Sequence, residues 1–155
     1  MPFPEDLLDQ AQTLAVIDKT RPRQASLRRA ISTAYYALFH LLTIAAAGEW
    51  RRPRQRAALT RAFEHRRMKS ACGRTNKQEF PNFSPASGAH LRNVAGTFVE
   101  LQDLRHEADY DNSIVWARTE VLESVKLVRM AFESWRAIEN ETITEDFLLQ
   151  LLIQR

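Results

Sequence analysis

The chain is poor in the residues that interrupt helices and in those that build metal or redox centres. Four glycines and six prolines among 155 residues leave little turn material. Strand signals, runs of alternating β-branched and aromatic residues between turns, are absent, which argues against a sheet. The one cysteine, Cys72, excludes an intramolecular disulfide and any thiolate metal cluster; a reducing cytoplasm is the expected setting. No glycine-rich phosphate loop and no HExxH pattern is present, so neither a metal nor a cofactor is expected. The first ten residues, MPFPEDLLDQ, are acidic where a signal peptide would be basic. No uninterrupted apolar run approaches the ~20 residues of a membrane span, so no membrane association is expected.

Apolar residues make up 45% of the chain, enough for one hydrophobic core in a single domain covering residues 1–155. Hydrophobic periodicity near 3.6 predicts helices at about 4–18, 22–47, 54–71, 85–109 and 114–138, with a short one at about 143–154. Ser84 followed by Pro85 is an N-cap and N1 pair. Thr142 with Glu145 three residues on suits a capping box for the last helix. A long irregular link is expected at 72–83. The fifth helix places Val121, Val125, Val128, Phe132 and Trp135 at alternating four-three spacing, the seam of a bundle. The expected fold is all-α, an antiparallel up-and-down bundle of five to six helices.

Charge is unevenly laid out. Residues 51–77 hold ten Arg or Lys against one acid, while residues 100–155 hold twelve acids against six bases. Arg51, Arg52, Arg54, Arg56, Arg61, Arg66 and Arg67 thus form a candidate basic surface for RNA or an acidic partner; a solvated helix facing an acidic neighbour is the plainer alternative. His65, inside this segment, is expected to be solvated or close to the basic surface.

Two helices carry the candidate site. At 100° per residue, Leu27, Ile31, Ala34, Leu38, Leu41, Leu42 and Ala45 form a core face of the second helix. Ala30, Ala37 and Ile44 recur every seven residues on another side, where a close helix approach, including one across a dimer, is allowed. Arg28, Arg29, Ser32, Tyr36, Phe39, His40 and Thr43 occupy the rest. For His40 and the Tyr35–Tyr36 pair, core packing with an anchored polar atom is the simplest role. In the fourth helix Leu91, Val94, Ala95, Phe98 and Leu101 lie within about 60° of one line, and Arg105 and Asp109 continue that line, with His106 and Tyr110 together on its flank. An unpaired buried guanidinium costs several kcal/mol. Arg105 therefore needs either Asp109, one turn on, as a lock, or a groove filled by water or a ligand.

The stretches RRAISTAYYALFHLL (28–42) and LRHEADYD (104–111), in that order, resemble the HEPN superfamily, and within it the branch that reads R-AYYA-FH on an early helix and R--ADYD at the end of a later one. RAFEHRRMKSAC (61–72), between them, is also similar to that branch, and the likeness extends over roughly 5–139. It implies a dimerising antiparallel helical bundle that binds RNA or a nucleotide or cleaves RNA without metal, often beside a nucleotidyltransferase or in a toxin–antitoxin or other defence setting. The superfamily's ribonuclease motif is an arginine, four to six intervening residues, then a histidine. No arginine stands five to seven residues before any of the four histidines here. Arg105 matches the motif's arginine, but Tyr110 stands where a histidine would, and a tyrosine with an ordinary pKa of about 10 is a poor base. Three expectations follow. One is a non-catalytic homodimer binding RNA, a nucleotide, a cognate nucleotidyltransferase or an antitoxin through a groove of Arg28, Arg29, Tyr36, His40, Asp109 and Tyr110. The second is a ribonuclease with Arg105 and His106 or His40 as catalytic residues. The third is a purely structural subunit.

Overall fold

The computed structural model describes residues 2–153. The described residues form α1 (Phe3–Val16), α2 (Gln24–Gly48), α3 (Pro53–Arg61), α4 (His65–Asn76), α5 (Pro85–Tyr110), α6 (Arg118–Ile138) and α7 (Ile143–Ile153), with no strand among them. The fold is all-α, with seven helices where five to six were expected. The extra one arises because the basic segment is two helices. Phe63 is buried, and turning its ring inward ends α3 at Ala62 and restarts the chain at His65. Neither glycine nor proline marks that break. The link expected at 72–83 shrinks to 77–84 because Cys72 and Thr75 are buried on the last turns of α4.

α2 is the central rod, touching α1, α3, α5, α6 and α7. Leu27, Ile31, Ala34, Leu38 and Leu42 are sealed from solvent, as periodicity requires. On the seven-residue stripe Ala30 and Ala37 are sealed within the chain, while Ile44 is 48% exposed. α6 buries its whole seam of Val121, Val125, Val128, Phe132 and Trp135. Trp135 alone would cost about 3–5 kcal/mol on truncation to alanine. α5 begins as its sequence dictates: Ser84 Oγ accepts the Ser87 N–H at 3.1 Å, and Pro85 fills the first turn. Gly96 lets α4 approach α5, since a Cβ there would come within 2.8 Å of Asn76 Oδ1. α7 begins on a turn in which Glu145 N–H reaches the Thr142 carbonyl at 3.1 Å; residue 154, the expected end of that helix, lies outside the described residues.

By length and composition, α2 is the described helix long and apolar enough to cross a membrane, although Ser, Thr, Tyr and His punctuate it. In this fold 78% of its most apolar stretch is buried by neighbouring helices.

Candidate functional site

α2 and α5 pack so that Ser32 and Tyr36, one turn apart, meet Arg105 and Asp109, also one turn apart. Arg105 Nη2 donates to the Tyr36 hydroxyl at 3.2 Å. Its guanidinium carbon lies 5.3 Å from the Tyr35 ring centroid and 5.5 Å from that of Tyr36, within cation–π range. Nε stands 3.6 Å from Asp109 Oδ2, an ion pair just too long for a direct hydrogen bond. The other Asp109 oxygen accepts from Ser32 Oγ. The Arg105 side chain is 13% exposed and that of Asp109 32%. The cation in the apolar stripe is thus held from three sides: a carboxylate, a phenol and two aromatic faces. That is the lock arrangement, and it ties the C-terminal half of α5 to α2.

Arg28 has an equally committed position. Nη1 donates to the carbonyls of Ala108 and Asp111, each at 2.9 Å, and Nη2 to that of Ile114 at 2.6 Å. The last carbonyls of a helix have no intrahelical donor, and here a guanidinium from another helix supplies them at the end of α5, where a cation also suits the dipole. Gln24 fastens the following segment by exchanging two bonds with the Trp116 backbone, both at 2.8 Å.

Beside these anchors runs an open groove of 470 Å³ whose wall includes Arg28, Arg29, Tyr36, Asp109 and Tyr110. Five of the six residues expected in a binding groove are therefore brought together. Arg29 has no partner among the described residues and is exposed, and Tyr110 is 67% exposed. His40 is the member placed elsewhere: it packs edge-on against Phe3, with ring centroids 5.0 Å apart, and loss of hydration lowers its pKa. His106 is exposed, its ring 5.0 Å from that of Tyr110, and it shares with Arg105, Lys69 and Gln102 a second hollow of 470 Å³. Arg105 and its partners thus form a partition between two hollows.

His65 is a correction to the sequence reading. It is half-buried, not solvated. Its Nδ1 lies 2.6 Å from the Tyr35 hydroxyl, and its ring stacks on Phe39 at 4.3 Å and meets Tyr36 edge-on at 5.7 Å. Desolvation first, then the charges of Arg105 and His40, lowers its pKa. Burial pushes the Tyr35 phenol well above its ordinary range, so Tyr35 keeps its proton. The signal for this cluster lay in Phe63 and His65 flanking a break that nothing in the sequence announces.

The basic surface is mostly open. Arg51, Arg52, Arg54, Arg61, Arg66 and Arg67 are exposed and Arg56 half-buried. Arg56 Nε donates to the Trp50 carbonyl at 2.9 Å, and Arg67 pairs with Glu64 at 3.3 Å. No residue of α3 is buried. The acidic third of the chain meets the basic segment through Lys69 and Asp103, 2.5 Å apart. Among the described residues no three His, Cys, Asp or Glu side chains are grouped to hold a metal.

No protein-family model, curated protein or solved structure matches the chain.

Proposed function

We propose that the chain is a HEPN-type antiparallel helical bundle that works in the cytoplasm as a homodimer and binds single-stranded RNA without cleaving it. The observation that carries this reading is the division of labour among the arginines at the α2–α5 groove. Arg105 is consumed by Asp109, Tyr36 and the two tyrosine rings, while Arg29 and Tyr110 stand open on the wall of the groove beside it. An unpaired guanidinium next to an exposed aromatic face suits a phosphate followed by a stacked base. The open arginines of α3 offer further positive charge for the RNA backbone. A cognate nucleotidyltransferase or antitoxin, in a toxin–antitoxin or other defence setting, would be the protein partner of such a module.

The test is fluorescence anisotropy with a labelled single-stranded RNA across a salt series, with sedimentation run alongside to read the dimer. Affinity should fall steeply with salt, and Tyr110→Ala should weaken binding by about tenfold, the loss of one stacked base. Failure to bind at low salt would overturn the RNA reading and leave the groove to a protein partner. A second reading has one observation in its favour: Arg105 and His106 line the same hollow. Were that hollow a ribonuclease centre, purified protein would cleave RNA in the presence of a chelator, and Arg105→Ala and His106→Ala would each abolish the products.

A further inference from the structure

α3 has no fully buried side chain, although Arg56, Leu59 and Thr60 are half-buried and the helix touches α2. A nine-residue helix is marginal by itself in water, so its flanks carry much of its hold on the body. On the C-terminal flank two residues reach inward: Phe63, which is buried, and His65, the first residue of α4. We propose that His65 is a proton-controlled latch, which holds the α3–α4 corner against α2 when neutral and releases it when protonated.

The contact is built for the neutral ring. With the ring proton on Nε2, the Tyr35 hydroxyl donates in the 2.6 Å bond and Nδ1 accepts. Its other partner, Gln102 Oε1, is 3.5 Å away, longer than an effective O–H···O bond. An imidazolium has no acceptor nitrogen. On protonation the Nδ1–H would confront the Tyr35 O–H, and the phenol proton would have to turn to the distant Gln102. The surroundings offer the new cation little. From α5 it faces the Arg105 guanidinium, already over the Tyr35 ring. From α2 it faces Tyr35, Tyr36, the apolar Phe39 and, farther off, His40. On its own helix stand Arg66, Arg67 and Lys69. The carboxylates nearby already have cations: Asp109 has Arg105, Asp103 has Lys69 and Glu64 has Arg67.

The sign follows from linkage. The docked ring has a lowered pKa, and a released ring returns to about 6.5. The latch is therefore at full strength above about pH 6.5 and weakens as pH falls below it, by up to about tenfold in the docking equilibrium per pH unit, until the docked ring itself is protonated. Any effect on RNA rests on the proposed function above; the latch does not.

Hydrogen exchange on the protein without RNA tests it, read as protection factors so that the ordinary acid slowing of exchange is divided out. Between pH 7.5 and 5.5 protection in 53–66 should fall by up to about tenfold while that in α6 stays level. His65→Gln keeps an acceptor toward Tyr35 and cannot take the proton, so its corner should lose this pH step. A corner as protected at pH 5.5 as at 7.5 overturns the latch, as does a pH step that survives in His65→Gln. Because no RNA is present, these results are independent of whether the chain binds RNA.

Discussion

Arg28 and Arg105 sit between helices with their guanidinium groups occupied by carbonyls, a carboxylate and phenols. Arg54 and Arg61, on α3, are exposed and have no partner among the described residues. The same side chain thus serves as mortar in one place and as free charge in another, and the difference follows from what surrounds it. α5 ends with carbonyls that need donors and a stripe that would otherwise bury a lone cation. α3 lies on the body with no side chain fully buried. A count of positive charge would have pointed to α3 alone; the arrangement shows that the α2–α5 side holds the more exactingly placed arginines.

Substitutions can break this contrast, and the largest effect belongs to Arg105. Arg105→Ala strands Asp109 between helices and should lower stability by about 3 kcal/mol in urea unfolding, the lower end for breaking a buried pair because Asp109 is partly solvated. Arg105→Lys should recover little, since a point charge replaces neither the fork nor the stacking. A loss within the ~1 kcal/mol of a surface pair would return Arg105 to solvent and end the contrast. Arg28→Ala comes next, at about 2 kcal/mol, because carbonyls at the end of α5 lose their donors. Exchange should quicken first around 108–114.

Tyr35→Phe should cost about 1 kcal/mol at pH 7.5 and sharpen the picture of His65. Without the phenol the ring loses a bond made only by its neutral form, so its titration midpoint, followed by NMR, should move up toward the ordinary value of about 6.5. A midpoint unchanged from the parent protein would mean that the bond does not favour the neutral ring. The smallest structural effect is expected from Arg54→Ala with Arg61→Ala, within about 0.5 kcal/mol of the parent. The same pair should flatten the log–log salt dependence of RNA binding by about 1.4, two phosphate contacts on a single strand. A large fall in melting temperature would show that α3 is packed more firmly than its exposure implies.

Much of this was legible before any coordinates. The buried side of α2, the seam of α6 and the Ser84 cap follow from spacing and residue type alone. That Arg105 needs either Asp109 or a filled groove follows too, because both residues fall on one line of α5 and a stranded cation there is costly, but spacing did not choose between the two. What could not be read came from contacts between distant segments. Arg28 bonds carbonyls more than 80 residues away, which no local pattern encodes. The break before His65 depends on where the Phe63 ring finds room, and the histidine's partner is 30 residues back on another helix. Periodicity placed His106 beside Tyr110 correctly, but it could not reveal which hollow each would line.

α2 leaves one more consequence. It is apolar enough to resemble a bilayer-crossing segment, and it precedes in the chain two of the helices that cover it, α5 and α6. A nascent polypeptide extends this greasy rod from the ribosome well before residue 138 has been made. For that interval α1, which precedes it and packs along it, is the main cover available, and the sides meant for α5 and α6 are at hazard of self-association or of recruitment by whatever binds naked hydrocarbon. Safe biogenesis then hinges on how quickly the later two-thirds of the chain can arrive to sheathe it.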